Sequence, residues 1–406
     1  MAYEGDNMMG IKRTNRSAAL RVLHERGSMS RKRLAESIKL TPAAITKIVG
    51  EMINEGLLVE GAPLPRGSVG RREVKVELNA HARCALGVLI NLRQAIVSAV
   101  WLDGTVIFSE KLPLEAHADA DETVARLSAR VMALADAHAL APEKIIGLGI
   151  AIRGVTSADG RVVRNSFGAL NAKDYPICDR FEAQTNLKCV MSNNVRALFA
   201  AQMFMAQDDS LSSQFFLRCE YGIGASMSIN GKIWRGSSEQ CAEIGHIPLV
   251  RRGGKPCSCG KSGCLETIAS TTAILEDTRA LLSQEKTPVL YNILNGRSAD
   301  ELEIDDVFDA AQNGDSAVAE IVENAIYALS SALKSVIYTL DPAKIVLYGR
   351  MFDNQYYLSK LLAEMREGVD SGHCVPIERS PYNHMLENSA PGLLMVEGFF
   401  DNGGME

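Results

Sequence analysis

The sequence predicts an α/β protein with a small helical head, and three observations carry the prediction. Residues 14–54 hold three short helical segments with apolar stripes, separated by turn signals. Between residues 85 and 347, apolar runs of strand length alternate with helical stripes, the pattern of α/β lobes. Residues 243–266 gather one histidine and three cysteines among glycines, a metal-ligand pattern.

A chain of 406 residues has room for two or three domains with a sizeable core. It is 47% hydrophobic and 23% charged, as soluble globular proteins are. No run of 18 uncharged apolar residues is present, which excludes an evident membrane span. Residues 1–10 carry two acids and no apolar run, so a signal peptide is not expected and the cytoplasm is. The net charge of −6 is unevenly spread. Residues 1–75 hold 14 basic and 8 acidic side chains, and the remainder holds 29 basic and 41 acidic. A basic head on an acidic body directs the head alone towards a polyanion.

In the head, Ala19, Leu20, Val22 and Leu23 form a plausible helix face, and Gly27 breaks it. Ser30 precedes Arg31, Lys32, Arg33 and Leu34 and suits the N-cap of a second helix. Thr41 followed by Pro42 is an N-cap with proline at the first helical position. A third helix from Pro42 to about Asn54 then buries Ile45, Ile48, Val49 and Met52. Two short helices and a tight turn are a helix-turn-helix. Ala43 and Ala44 let the helix start approach base edges, where an alanine methyl can meet a thymine methyl. Thr46 and Lys47 project from the same side, and Lys47 reaches either a base or a phosphate. Leu57–Val59 and Val74–Leu78 read as strands around a glycine- and proline-rich loop, Gly61 to Arg72. Its Arg66, Arg71 and Arg72 suit a narrow minor groove, which makes the hairpin a DNA-binding wing; a solvated surface hairpin is the plainer alternative.

The body opens with three strands in sequence, Ala85–Ile90, Ala95–Trp101 and Val106–Phe108, joined in part by an Asp103-Gly104 turn. A helix over 121–137, a buried strand at Ile145–Ile152, strands near Phe215–Cys219 and Lys344–Leu347, and a long helix from about Ala317 to Leu340 follow. Six of the nine cysteines are scattered in mostly apolar settings and read as core residues. The other three, Cys257, Cys259 and Cys264, lie within eight residues, and His246 precedes them by eleven. Four such ligands are the set of a closed, structural tetrahedral zinc site, against a simpler reading as reduced thiols or a redox pair. Gly253, Gly254, Gly260 and Gly263 let the chain turn tightly around an ion. His246 can serve twice, one ring nitrogen on zinc and the other on a second partner.

These residues resemble the ROK family of repressors and kinases, through Glu243-Ile-Gly-His246 followed by Cys257-x-Cys259-Gly-x-x-Gly-Cys264-Leu-Glu266. Leu40 to Val49 is similar to the recognition helix of the family's glucose- and N-acetylglucosamine-responsive repressors. The resemblance covers about residues 12–400 and implies a two-lobed, actin-like or hexokinase-like body with a sugar cleft between its lobes. It implies a head over 1–80, a first lobe over 81–196 closed by 389–406, and a second lobe over 197–388. It also implies zinc on His246, Cys257, Cys259 and Cys264, and sugar contacts from Asn193, Asn194, Glu243, His246 and Glu266. Carboxylates and amides fit a fan of sugar hydroxyls.

Departures from the family's kinases are equally informative. The aspartate that serves them as general base is here Asn194, an amide that cannot take a proton at neutral pH. Their first phosphate loop, Asp-x-Gly-x-Thr, falls on Leu89–Arg93 without its acid, glycine or threonine. A threonine of the second loop is Ile223, and a Gly-Gly pair near the nucleotide is Gly349-Arg350. Ala242 stands for a glycine, and Arg153 for a proline. The implied protein is a non-enzymatic repressor that binds operator DNA through Ser30, Arg31, Thr41, Ala43, Ala44, Thr46, Lys47, Arg71 and Arg72. A homodimer or homotetramer, with a sugar or sugar phosphate as effector and no membrane association, completes the expectation. A sugar kinase with a DNA-binding head, and a repressor controlled by a docking protein, are the alternatives.

Overall fold

The computed structural model describes residues 8–63, 74–206, 213–367, 374–382 and 385–405. Arg66, Arg71 and Arg72 of the expected wing lie outside these residues. The chain divides into two compact units, Met1–Ser210 with His384–Glu406, and Leu211–Asn383. The expected lobe boundary at 196 would cut a helix that belongs whole to the first unit, because nearly every residue of it is buried there. The head belongs to that unit too.

The head begins with α1 (Met8–Arg26), α2 (Arg31–Ser37) and α3 (Pro42–Asn54). The side chain of Ser30 accepts the Arg33 N–H and that of Thr41 accepts the Ala44 N–H, so both expected N-caps form. Ile45, Ile48, Val49 and Met52 are buried on α3 as their spacing requires. The wing strands β2 (Leu58–Pro63) and β3 (Val74–Leu78) pair antiparallel, and a two-residue β1 (Met29–Ser30) pairs with β3 on its other edge.

The main sheet of the first lobe is built from β4 (Cys84–Ile90), β5 (Gln94–Trp101), β6 (Val106–Pro113), β7 (Ile145–Ile152) and β8 (Cys189–Asn193). Its order is β6–β5–β4–β7–β8: β4 to β6 form the antiparallel meander, and β4, β7 and β8 run parallel. Helices α4 (Ala120–Ala137) and α5 (Ile177–Thr185) pack together beside the sheet, and α6 (Asn194–Ala206) leaves the end of β8.

The second unit repeats this topology. Strands β9 (Gln214–Cys219), β10 (Ile223–Ile229), β11 (Lys232–Ile233), β12 (Lys344–Tyr348) and β13 (Ile377–Arg379) are ordered β11–β10–β9–β12–β13, again a meander followed by two parallel strands. Helices α7 (Glu266–Ala269), α8 (Thr271–Leu281), α9 (Pro288–Leu294), α10 (Ile304–Gln312) and α11 (Ser316–Leu340) lie between β11 and β12 in the chain, and α12 (Gln355–Arg366) follows β12. The long α11 buries Val318, Val322, Ala325, Leu329, Leu333 and Val336 along one stripe.

The last helix, α13 (Met385–Asp401), returns to the first unit and packs on β4, β5, β7 and α6. Its glycines and internal Pro391 oppose helix formation, so tertiary packing supplies the order. Gly149 of β7 faces Pro391, where a Cβ would stand 1.7 Å from the Pro391 carbonyl oxygen. Half-buried Glu397 on α13 has its carboxyl pushed up to about 7, by burial first; Arg21 opposes the shift and Asp401 adds to it. A carboxyl raised in the folded state binds a proton that the unfolded chain has released. Its stabilising effect is therefore full below pH 4.5 and lost as pH rises through 7. Glu397→Gln is expected to raise stability by about 1–2 kcal/mol at pH 8 and to leave it unchanged at pH 4. Calorimetric melting at the two pH values tests this, and equal shifts at both contradict it.

Among the described residues no helix is long and apolar enough to cross a membrane. Of the six scattered cysteines, Cys84, Cys178, Cys189 and Cys219 are buried as expected, whereas Cys241 is half-buried and Cys374 exposed.

Candidate operator, ligand and metal sites

The exposed side of the head carries Thr41, Ala43, Thr46 and Lys47 at the start of α3, with Ala44 half-buried beside them. The Thr46 hydroxyl donates to the Pro42 carbonyl (2.7 Å), so its proton is spent within the helix. Ser30 is buried and spends its hydroxyl on the α2 cap. Arg31 pairs with Glu60 at 2.7 Å, so it braces the wing strand to α2. Lys32, Arg33 and Lys39 are exposed beside it and were not singled out from sequence. Their signal was only the local density of charge.

In the first lobe three parallel strands end level with one another, Ile90 and Asn193 both opposite Ile152. The following residues gather there. Asn194 is buried, and its amide donates to Oδ1 of Asn91 (3.1 Å), a residue missed as a site candidate. The amide of Asn193 donates to the Gly154 carbonyl at 2.7 Å, and its oxygen accepts the N–H groups of Val195 (2.9 Å) and Arg196 (3.3 Å). Asn193 thus pins the β7 end to the start of α6.

The second unit holds Glu243, His246 and Glu266. Glu243 is exposed at the head of a short turn, Ile244–His246. Ala242 before it has φ 64°, a left-handed backbone that a Cβ disfavours by about 1 kcal/mol. Glu266 opens α7 and accepts the Ile223 N–H at 2.8 Å, which ties it to the β9–β10 turn. Around that turn, Glu220 accepts the Arg350 N–H at 2.9 Å, and the Arg350 guanidinium pairs with Glu303 (2.9 Å) and Asp305 (3.0 Å). Three carboxylates beside Gly349-Arg350 oppose a polyphosphate electrostatically.

His246, Cys257, Cys259 and Cys264 converge, with all four ligand atoms within 4.8 Å of one another. Cys257 Sγ lies 3.5 Å from His246 Nδ1, and Cys259 Sγ lies 3.6 Å from Cys264 Sγ. A tetrahedron with metal–sulfur bonds near 2.3 Å has edges of about 3.8 Å, so the donors already stand at coordinating separations. Tight turns hold them: the Cys257 N–H donates to Lys261 O (2.8 Å) and the Gly260 N–H to Cys257 O (2.9 Å). Burial alone raises the Cys259 thiol, but the Lys261 N–H and the neighbouring thiols outweigh it and bring it below its ordinary value. Cys264 is pushed up to about 12 by burial first, and then by the thiols of Cys259 and Cys257. Three thiols and an imidazole in this arrangement can hold a metal ion.

Residues 13–59 match a winged helix-turn-helix DNA-binding family, and residues 94–393 match the ROK family. The chain is 26% identical over 344 residues to the DNA-binding transcriptional dual regulator NagC of Escherichia coli strain K12, across 84% of this chain and 81% of that one. A crystal structure of a ROK family transcriptional regulator, a homolog of the E. coli MLC protein, covers 97% of both chains at 23% identity with a TM-score of 0.78. The ROK family glucokinase of Streptomyces griseus, solved with glucose and AMPPNP, covers 77% of this chain and 98% of its own at 20% identity, with a TM-score of 0.65. These likenesses agree with the hexokinase-like body and the winged head, and the family match spans most of the length: the chain belongs to the ROK family.

Proposed function

We propose that the chain is a DNA-binding transcriptional repressor of carbohydrate-utilisation genes, relieved by a sugar or sugar phosphate that its kinase-like body binds without phosphorylating. The observation that carries this reading is the pairing of an exposed, capped recognition helix with an amide, Asn194, bonded to a second amide, Asn91, where a kinase needs a carboxylate base. Ser30 and Arg31 set the angle of α2, while Thr41, Ala43, Ala44, Thr46 and Lys47 face the major groove, with Arg71 and Arg72 on the wing. Asn193, Asn194, Glu243, His246 and Glu266 supply the sugar's hydrogen bonds. Zinc on His246, Cys257, Cys259 and Cys264 is structural and anchors Glu243 and Glu266 on either side. Two or four copies in the cytoplasm would meet a palindromic operator through paired heads.

Two assays test the proposal. Lys47→Ala is expected to weaken operator binding about tenfold, and a phosphate contact would also lower the salt slope by roughly one. Purified protein with ATP, magnesium and a hexose panel is expected to release no ADP. Sugar-dependent ADP release that disappears on Glu243→Ala would establish a kinase instead.

A further inference from the structure

The winged helix is fastened to the first lobe by the end of the chain. Arg16 of α1 is fully buried, which is costly for a guanidinium unless every donor direction is met. Its Nε donates to the Gly403 carbonyl at 2.7 Å. The two terminal nitrogens donate to both carboxylate oxygens of Glu55, one of them at 2.8 Å. Glu55 is the C-cap of α3, the recognition helix. One planar side chain therefore sets the position of α3 relative to the last turn of the chain.

That last turn is pressed into the head. Gly403 has φ 68°, and a Cβ there would stand 2.8 Å from the Arg13 carbonyl and 2.9 Å from Arg16 Cβ. One to two helical turns further along α1 the contact changes character. Arg21 pairs with Asp401 at 2.5 Å, and the His24 ring stacks on Phe204 at 4.0 Å and meets Phe400 edge-on at 5.9 Å. Phe204 belongs to the last turn of α6, the helix that begins at Asn194. Phe400 and Asp401 end α13, which packs along α6 and the sheet. A rigid helix thus spans from the amide cluster at the strand ends to the head, about 15 Å away by its rise.

We infer that Arg16 is a positioning residue that couples effector binding to the recognition helix. It clamps the α3 cap to the chain end, so a shift of α6 and α13 at the Asn194 end is delivered to α3. This inference rests on the proposed function. A guanidinium suits the role because its fork fixes direction as well as distance, which an ammonium cannot do.

The test uses the full chain and a panel of hexoses and hexose phosphates, with operator affinity measured by fluorescence anisotropy and effector affinity by calorimetry. Arg16→Gln is expected to leave effector affinity within twofold of the parent while the effector's change in operator affinity collapses towards one. Because coupling is reciprocal, DNA should lose its effect on effector affinity by the same factor. Arg16→Lys is expected to retain only part of the coupling. If Arg16→Gln fails to fold, His24→Ala interrupts the same path at its other end and carries the same expectation. Folded variants with the parent's coupling factor overturn this inference alone. A parent protein whose operator affinity ignores every compound in the panel overturns the inference and the proposed function together.

Discussion

Cys257→Ser is expected to abolish metal binding at the His246, Cys257, Cys259 and Cys264 cluster and to cost on the order of 5 kcal/mol of stability. Structural zinc is worth about 10–16 kcal/mol in isolated finger peptides, where it supplies the whole core. Here the surrounding unit has its own core of Phe215, Leu217, Ile244, Leu265 and the α11 stripe, so only part of that value is at stake. Cys257 is buried and faces His246 Nδ1, and a serine hydroxyl there binds zinc poorly. On the proposed function effector affinity is expected to fall with it, because Glu243 precedes His246 by three residues and Glu266 follows Cys264 by two. Elemental analysis should give one zinc per chain in the parent and none in the variant. Acid should strip the metal from the parent, since the thiols must stay deprotonated to bind it. A folded parent that carries no metal and melts where the variant does contradicts this part of the account.

Gly149→Ala is expected to cost about 3 kcal/mol or more, at or above the usual range for overpacking. A Cβ at this position meets backbone on α13, 1.7 Å from Pro391 O and 2.7 Å from Pro391 C, so no rotamer change relieves it. Relief requires α13 to lift from β7 and expose Leu393, Val396 and Phe400, which are now buried. The melting temperature of the first unit should fall by roughly 6–12 °C. Because α13 leads into the turn that receives Arg16, operator binding should fall as well. Gly398→Ala, on the same helix with open space around it, provides the contrast: a better helix former and no collision. If both substitutions melt alike, close backbone approach is not what holds α13 on the sheet.

Much of this was legible in the sequence wherever one physical signal dominated. The α3 helix was readable because an N-cap, a proline at the first helical position and a 3.6-residue stripe agree, and β4 to β6 because continuous apolar runs are bounded by turn residues. The metal cluster was readable because its four ligands are close in the chain. The helix α13 offered no such signal: Pro391, Gly392 and Gly398 argue against a helix, and its order comes from the glycine of a strand more than two hundred residues away. Arg16 was counted only as head charge, since nothing local marks a guanidinium whose partners are Glu55 and Gly403. Asn91 was passed over for the same reason: its partner Asn194 lies 103 residues on, joined to it through the parallel pairing of β4, β7 and β8.

On the proposed function, a sugar kinase's frame works here as a switch on DNA and not as a catalyst. The most direct measurement titrates individual hexoses and hexose phosphates into the purified protein bound to a fluorescent operator fragment, with ATP and magnesium present and the nucleotide pool sampled throughout. One compound is expected to lower operator affinity reversibly while ATP stays intact. Consumption of ATP in step with sugar, or an operator complex that no compound disturbs, would contradict it.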